Sequence, residues 1–442
     1  MDEVTVIGGG LAGCEAAWML ARQGVPVNLV EMRPVRSTEV HRTGNLAELV
    51  CSNSLKAIST ERAPGLLKEE LRLLGSLLLQ AADETQVPAG GALAVDRERF
   101  SQAVEERIEG HPGIRIKRSE VTELPDAGLT ILATGPHTSQ ALQEELRRVV
   151  PFGTLRFFDA VSPIVSADSI DMGVVFEASR YEKGDAAYLN CPLDEEEYGR
   201  FHEALIAAES VTLQHEGISH FEGCLPIEEI ASRSKDALRY GPMKPVGLRD
   251  PRTGRRPHAI VQLRMENREG TMFNMVGFQT GLRWGEQERV FRLIPGLEGA
   301  EFLRYGVMHK NVFLDAPRLL DPWMRLRAMP HILVAGQLSG VEGYMESAAS
   351  GLYCGLVAAA LAKGQSPPAL PPETLIASLM RQISTSESHD FQPMNSSFGL
   401  LPSLSDGPRN KKLRREVMVQ RALAAMERFA TEHGLRRDPR TL

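Results

Sequence analysis

Cysteine is scarce in this chain, five among 442 residues, and no two stand at the spacings of a disulfide framework or a zinc site. That excludes a small stapled secreted fold and predicts reduced thiols, no bound metal and a cytoplasmic location. No apolar run approaches membrane-spanning length; the longest, around residues 355–362, is far too short, so no membrane partner is expected. The opening Met1-Asp2-Glu3 is acidic and leads straight into a strand-like run, unlike a secretory signal. An excess of positive charge is also missing. The formal net charge is −7, which by itself argues mildly against a nucleic-acid partner. Low-complexity tracts are absent, and the only internal repetition is a strand–glycine–helix unit that occurs twice.

What is present begins almost at residue one. Val4 to Glu31 reads VTVIGGGLAGCEAAWMLARQGVPVNLVE: a buried strand, a glycine turn, an amphipathic helix and a second strand ending on an acid. Gly8 permits the tight turn, Gly10 lets the backbone approach a pyrophosphate, and Gly13 with Ala17 lets the helix pack closely on the strand. Gly9, Leu11 and Ala12 complete the turn, and the helix N-terminus faces the phosphates. Glu31 stands where a carboxylate can accept both ribose hydroxyls, which favours FAD or NAD over a 2′-phosphorylated cofactor.

The length allows two or three domains. A helical pattern runs from Leu66 to Gln80, Gly113–Glu123 alternates like a strand, and Leu129–Gly135 is a short apolar run. Residues 1–150 therefore read as the first part of a cofactor domain. From Pro151 the pattern changes to short strand-like runs such as GDAAYLNCP and HAIVQLRMEN, punctuated by turn residues. Residues 151–325 read as an inserted domain on the substrate side. His331–Gly336 is again a buried strand, and a glycine-rich turn leads into a long helix of small residues. Gly336, Gln337, Glu342, Gly343 and Tyr344 are thereby placed against the same ligand. Residues 326–442 form the second part of the cofactor domain with C-terminal amphipathic helices, and FQPMNSSFGLLP from Phe391 reads as an ordered or ligand-lining loop. The expected fold is α/β: a Rossmann-like FAD-binding domain split by a mixed α/β insertion.

Charge is unevenly distributed. Between Arg233 and Arg268 ten Lys/Arg face three acids, and Arg409–Arg421 holds six basic residues and one acid. Such clusters can hold phosphates on an acidic protein, or can be solvated faces. Among the cysteines, Cys14 and Cys354 lie among small apolar residues and read as packing, while Cys191 is ambiguous. Cys51, in ELVCSNSLK, precedes a polar run that can cap a helix. Cys224, in HFEGCLPIEEI, stands just before a helix start at Pro226, where the field lowers a thiol pKa although Glu222, Glu228 and Glu229 oppose it.

GGGLAGCEAA, CSNSLK, FEGCLPIEE, YGVMHKNVFLDAP, AGQLSGVEGYMESAASGL and FQPMNSSFGLLP together resemble the bacterial folate- and FAD-dependent tRNA (uracil-5-)-methyltransferases. The likeness runs from the first strand to the C-terminal helices. It implies transfer of a one-carbon unit from 5,10-methylenetetrahydrofolate to C5 of the T-loop uridine of tRNA, with electrons from reduced FAD regenerated by NADPH or NADH. Uracil C5 becomes nucleophilic only after addition at C6, a step suited to a thiolate. The resemblance gives that role to Cys224 and places Cys51 as base, methylene handler or shield. His309 would face the cofactor cavity and stack on a pterin, or be a structural histidine. Gly336-Gln337 stands where many FAD proteins carry Gly-Asp, which leaves the ribityl contact open. The related tRNA uridine carboxymethylaminomethyl-modifying flavoproteins share the opening but carry a longer C-terminal extension.

Three other readings stay open at this level: an FAD oxidoreductase acting on a small molecule, a flavoprotein modifying the tRNA wobble uridine, and a non-catalytic flavoprotein that binds RNA. The first needs neither paired cysteines nor the basic stretch. If RNA is the substrate, the target base must leave its stack.

Overall fold

The computed structural model describes residues 2–38, 40–150, 154–182, 187–211, 225–386 and 391–435, with the side chains of 154–159, 182, 309 and 310 outside that description. Cys224 and the side chain of His309 therefore lie outside the described residues.

The apolar Val4–Ile7 strand is central in a six-stranded sheet, which is why it is apolar on both faces. Its neighbours are Val27–Glu31 and Thr130–Leu132; Ile114–Arg118 lies beyond the first, Met329–Val334 and then Arg325–Leu326 beyond the second. Only the outermost pair, Arg325–Leu326 with Met329–Val334, is antiparallel. The sheet thus joins strands from near the start of the chain to strands more than 300 residues on.

One face carries the two helices that follow glycine turns, Leu11–Arg22 and Tyr344–Ala362. Their packing depends on missing side chains: a Cβ on Gly351 would fall 2.1 Å from the Ala12 carbonyl oxygen, and one on Gly355 2.7 Å from that of Ala16. Tyr344–Ala362 is long and apolar enough to cross a membrane, contrary to the expectation from its shorter run of strictly apolar residues, because Ala, Gly and Ser extend it. Its window is 89% buried, so that apolarity is used in the core.

The pattern read as one helix over residues 66–80 is two, Ala63–Leu73 and Leu77–Glu84. Gly75, at φ +77°, ends the first, and Ser76 caps the second through Leu79 N–H. Buried Glu15 also accepts the Leu77 and Leu78 N–H groups at 3.3 and 2.9 Å. Burial pushes its carboxyl up to about 7.

A second six-stranded sheet, antiparallel throughout, is built from residues 164–304 in the order Phe176–Glu177, Tyr188–Leu193, Ala259–Met265, Met272–Met275, Ile164–Ser166, Phe302–Arg304. It has its own core, with Tyr198, Phe201, Phe278 and Phe291 fully buried. Asp194 and Glu197 form a reciprocal capping box at the start of helix Glu195–Ile206. An antiparallel ribbon, Thr154–Ala160 with Met308–Leu314, links the two sheets. Its return strand already contributes Val312, Phe313 and Leu314 to the first core. The C-terminal helices Leu375–Thr385 and Lys411–Glu432 close over Ala63–Leu73, where Glu70 caps Leu375 and Ile376 N–H at 2.7 and 2.9 Å.

Candidate cofactor cleft and the Cys51 site

At the carboxyl ends of the parallel strands an open-sided cleft is lined by Gly8, Gly10, Leu11, Ala12, Glu31, His41, Val50, Thr134, Gly336, Gln337 and Tyr344, among others. This is where a doubly wound sheet accepts its ligand. Gly10 is the helix N-cap, with no side-chain acceptor over the first-turn N–H groups, and a Cβ there would meet nothing within 4 Å. Free N–H groups beside open space suit a pyrophosphate. Gly8, at φ +105°, holds a turn that L residues resist, and a Cβ on it would lie 2.5 Å from the Ala133 carbonyl oxygen. Gly13 serves packing, since a Cβ there would lie 1.7 Å from the Gly8 carbonyl oxygen. The second glycine turn meets the first directly: a Cβ on Gly336 would lie 2.9 Å from that of Ala12. Both units therefore line one cleft.

Glu31 lines the cleft with its carboxylate partly committed. Oε2 accepts Gly9 N–H at 2.7 Å, and Oε1 accepts Arg33 N–H and Nε–H, each at 2.9 Å. Only its remaining lone pairs are left for ribose hydroxyls. Buried Arg33 also pairs with Glu48 at 3.2 Å. Across the cleft His137 lies 6.0 Å from His41, and burial holds its imidazole down to about 4. Gln337 Nε2 donates to Glu342 at 2.6 Å, and Glu342 N–H to the Met394 carbonyl at 2.8 Å. Gly343, at φ +115°, is the N-cap of the long helix beside Glu346 and Lys56. Glu346 in turn accepts Ser396 N–H and Oγ–H, and Lys56 bonds Asn395, so the loop after Phe391 is fastened at this helix start.

Tyr344 reaches the cysteine segment. Its hydroxyl oxygen accepts the N–H groups of Cys51 at 2.8 Å and Ser52 at 3.1 Å. Burial, and then a charge on Cys51, hold the phenol proton on. Cys51 is half-buried, its Sγ 3.9 Å from the Ala160 carbonyl oxygen. Three arginines bracket it. Arg97 donates to the Leu49 carbonyl, Arg304 Nη2 to the Val50 carbonyl at 2.6 Å, and Arg264 to Ser52 Oγ at 2.7 Å and Asn53 Oδ1 at 2.8 Å. Nothing in the sequence isolates these arginines except that Arg264 interrupts an apolar strand.

Cys14, Cys191 and Cys354 are fully buried, and burial raises each thiol pKa well above its usual range, consistent with packing roles. Beside the position of Cys224, Pro226 is the N-cap and not the first residue of helix Ile227–Arg233. Glu228 is turned to Thr280 and Gly281, at 2.8 and 2.7 Å. The basic stretch divides. Arg255 and Arg256 are exposed, Arg239 and Arg252 pair with Asp236 and Asp250, and Arg264 is buried at the junction of the two sheets. Among the described residues no group of His, Cys, Asp and Glu is arranged to hold a metal.

The family described as glucose inhibited division protein A matches residues 3–366. The methylenetetrahydrofolate–tRNA-(uracil-5-)-methyltransferase TrmFO of Heliobacterium modesticaldum is 56% identical over 431 residues, 97% of this chain and 98% of that protein. The chain belongs to the TrmFO family. The TrmFO proteins of Geobacter sulfurreducens and Thermosynechococcus vestitus are 58% and 54% identical, over 96% and 100% of this chain and 98% and 97% of theirs. The chain also shares its fold with Aquifex aeolicus GidA, at TM-score 0.73 and 18% identity over 99% of this chain and 74% of that one.

Proposed function

We propose that this chain methylates C5 of the T-loop uridine in tRNA, using 5,10-methylenetetrahydrofolate as carbon donor and NADPH or NADH as reductant. The reading is carried by the continuous identity with TrmFO methyltransferases along nearly the whole chain. FAD is held at the cleft by Gly8, Gly9, Gly10, Leu11, Ala12 and Glu31 from one end of the chain, with Gly13 packing the turn in place, and by Gly336, Gln337, Glu342, Gly343 and Tyr344 from the other. When bound and reduced, it supplies the electrons that bring the transferred carbon to the methyl level. In this arrangement 1–150 and 326–442 make the cofactor domain and 151–325 the tRNA-side insertion, and the enzyme works in the cytoplasm.

The chain's own chemistry is carried by two thiols. Cys224 adds to uracil C6, so that the electron pair of the C5–C6 double bond moves to C5 and makes it the nucleophile. Once C5 has gained its carbon, the C5 proton must leave, and we assign its removal to Cys51, whose backbone N–H is held by Tyr344 of the cleft lining. The family resemblance assigns His309 to the folate pterin.

The test is incubation with labelled methylenetetrahydrofolate, NADPH and unmodified tRNA. Label at C5 of the T-loop uridine is expected, and its absence overturns the reading. Label at the wobble position would favour the related uridine-modifying flavoproteins. Cys224→Ala and Cys51→Ala should each abolish transfer while retaining flavin, and full activity in either removes that residue's role.

A further inference from the structure

We propose that Arg264 and Arg304 of the antiparallel sheet, together with Arg97, hold the Cys51 side chain as a thiolate, so that this cysteine is reactive only when that sheet is docked against residues 49–53. Cys51 and Arg97 belong to the N-terminal part of the chain, whereas Arg264 is the next-to-last residue and Arg304 the last of two strands of the second sheet. The three guanidiniums are fastened to the four residues around the cysteine: Leu49, Val50, Ser52 and Asn53. None of these contacts is to a carboxylate. A positive environment of this kind lowers a thiol pKa.

Opposing charge near the cluster is small and largely committed elsewhere. Glu266 pairs with Arg97 at 3.1 Å and is buried. Glu48 is held by Arg33 and by the backbone of Arg42 and Thr43. Tyr344 keeps its proton and accepts from the backbone. Exposed Arg42 adds a further positive charge that acts on Arg304. Three arginines thus meet one paired carboxylate.

Arg304 is short of negative charge. It is 9% exposed, its Nε has no hydrogen-bond partner among the described residues, and burial together with Arg97 and Arg42 pulls its pKa down to about 10. A negative Cys51 acts in the restoring direction on Arg97, Arg264 and Arg304 alike. That interaction is reciprocal, so the arginines stabilise the thiolate as it stabilises them. On ionisation Sγ would give up its approach to the Ala160 carbonyl oxygen, which is long at 3.9 Å.

This inference deepens the role given to Cys51 above, and its test needs neither tRNA nor folate, so it can fail independently of methyl transfer. The full-length flavin-loaded protein is alkylated with iodoacetamide across a pH series, and the Cys51 peptide is quantified by mass spectrometry. The buried Cys14, Cys191 and Cys354 serve as unreactive controls. The wild-type midpoint is expected at least about one unit below the ~8.5 of a free thiol. Arg304→Gln and Arg264→Gln should each move it upward, and Arg304→Lys should restore it. A wild-type midpoint at or above ~8.5 overturns the proposal whatever the variants do. So does an unchanged midpoint in both Gln variants when flavin is retained.

Discussion

The hydroxyl oxygen of Tyr344 accepts the backbone N–H of Cys51 at 2.8 Å, which fastens the first residue of the second glycine-turn helix to the cysteine segment 293 residues earlier. The same oxygen takes the Ser52 N–H at 3.1 Å. Tyr344→Phe leaves both donors without that acceptor. It is expected to cost about 1–3 kcal/mol of stability, read from urea denaturation. A loss within error would mean that water replaces the phenol at no cost.

The contact between the two glycine-turn helices should be intolerant of one methyl group. In Gly351→Ala the new carbon would fall 2.1 Å from the Ala12 carbonyl oxygen, in backbone that cannot swing aside. Overpacking of this kind costs about 1–3 kcal/mol, and because Ala12 belongs to the phosphate turn, flavin per chain should fall as well. Gly91→Ala, with nothing within 4 Å of the added carbon, is the matched control. Equal flavin absorbance in both variants would refute the packing argument.

Glu70 predicts a pH dependence. Burial raises its carboxyl from 4.5 to about 8, even though it accepts the Leu375 and Ile376 N–H groups. The folded state therefore binds the proton more tightly than the unfolded state. Stability from this group is complete below the unfolded value of 4.5 and is lost as pH rises through about 8. Glu15, raised to about 7, acts in the same sense. Lys68, lowered from 10.5 to about 8 by burial, acts oppositely, its contribution being lost as pH falls through that value. Glu70→Gln should thus flatten the decline in urea midpoint between about pH 5 and pH 8. An unaltered slope would show that Glu70 is ionised throughout.

For tRNA, Arg255 and Arg256 are an adjacent pair of exposed cations in the basic stretch, which also leaves Arg233, Lys235, Lys244 and Arg249 on the surface. Neutralising both to Gln is expected to weaken binding and to reduce the salt slope of log Kd by about 1–2. Filter binding at several salt concentrations measures it. An unchanged slope would move the phosphate contacts elsewhere, with the exposed Lys411, Lys412 and Arg414 the next candidates.

Much of the cofactor cleft was legible in the chain because its parts are local: strand, glycine turn and helix follow one another directly in Val4–Arg22 and again in Met329–Ala362. Burial of Cys14 and Cys354 was legible for the same reason. Long-range features were not. The break at Gly75 was hidden because leucines continue on both sides of it, and the commitment of Glu31 to Gly9 and Arg33 depends on how the turn folds back. The arginines around Cys51 come from positions 97, 264 and 304, which no window joins. The basic stretch looked uniform because sequence counts charge without showing which way a strand turns it. Arg264 faces the sheet junction, and Arg255 faces solvent.

The meeting of Ala12 with Gly336 has a consequence for how the protein comes into being. A nascent chain whose residue 336 is still inside the ribosome has made only half of the cofactor cradle, and the helix that completes it ends at Ala362. Until then the first glycine turn has no partner across the phosphates, and the central sheet lacks its Met329–Val334 strand. Flavin loading must therefore follow synthesis of more than four-fifths of the polypeptide. A truncated product that ends inside the second sheet would carry the dinucleotide fingerprint and yet be colourless.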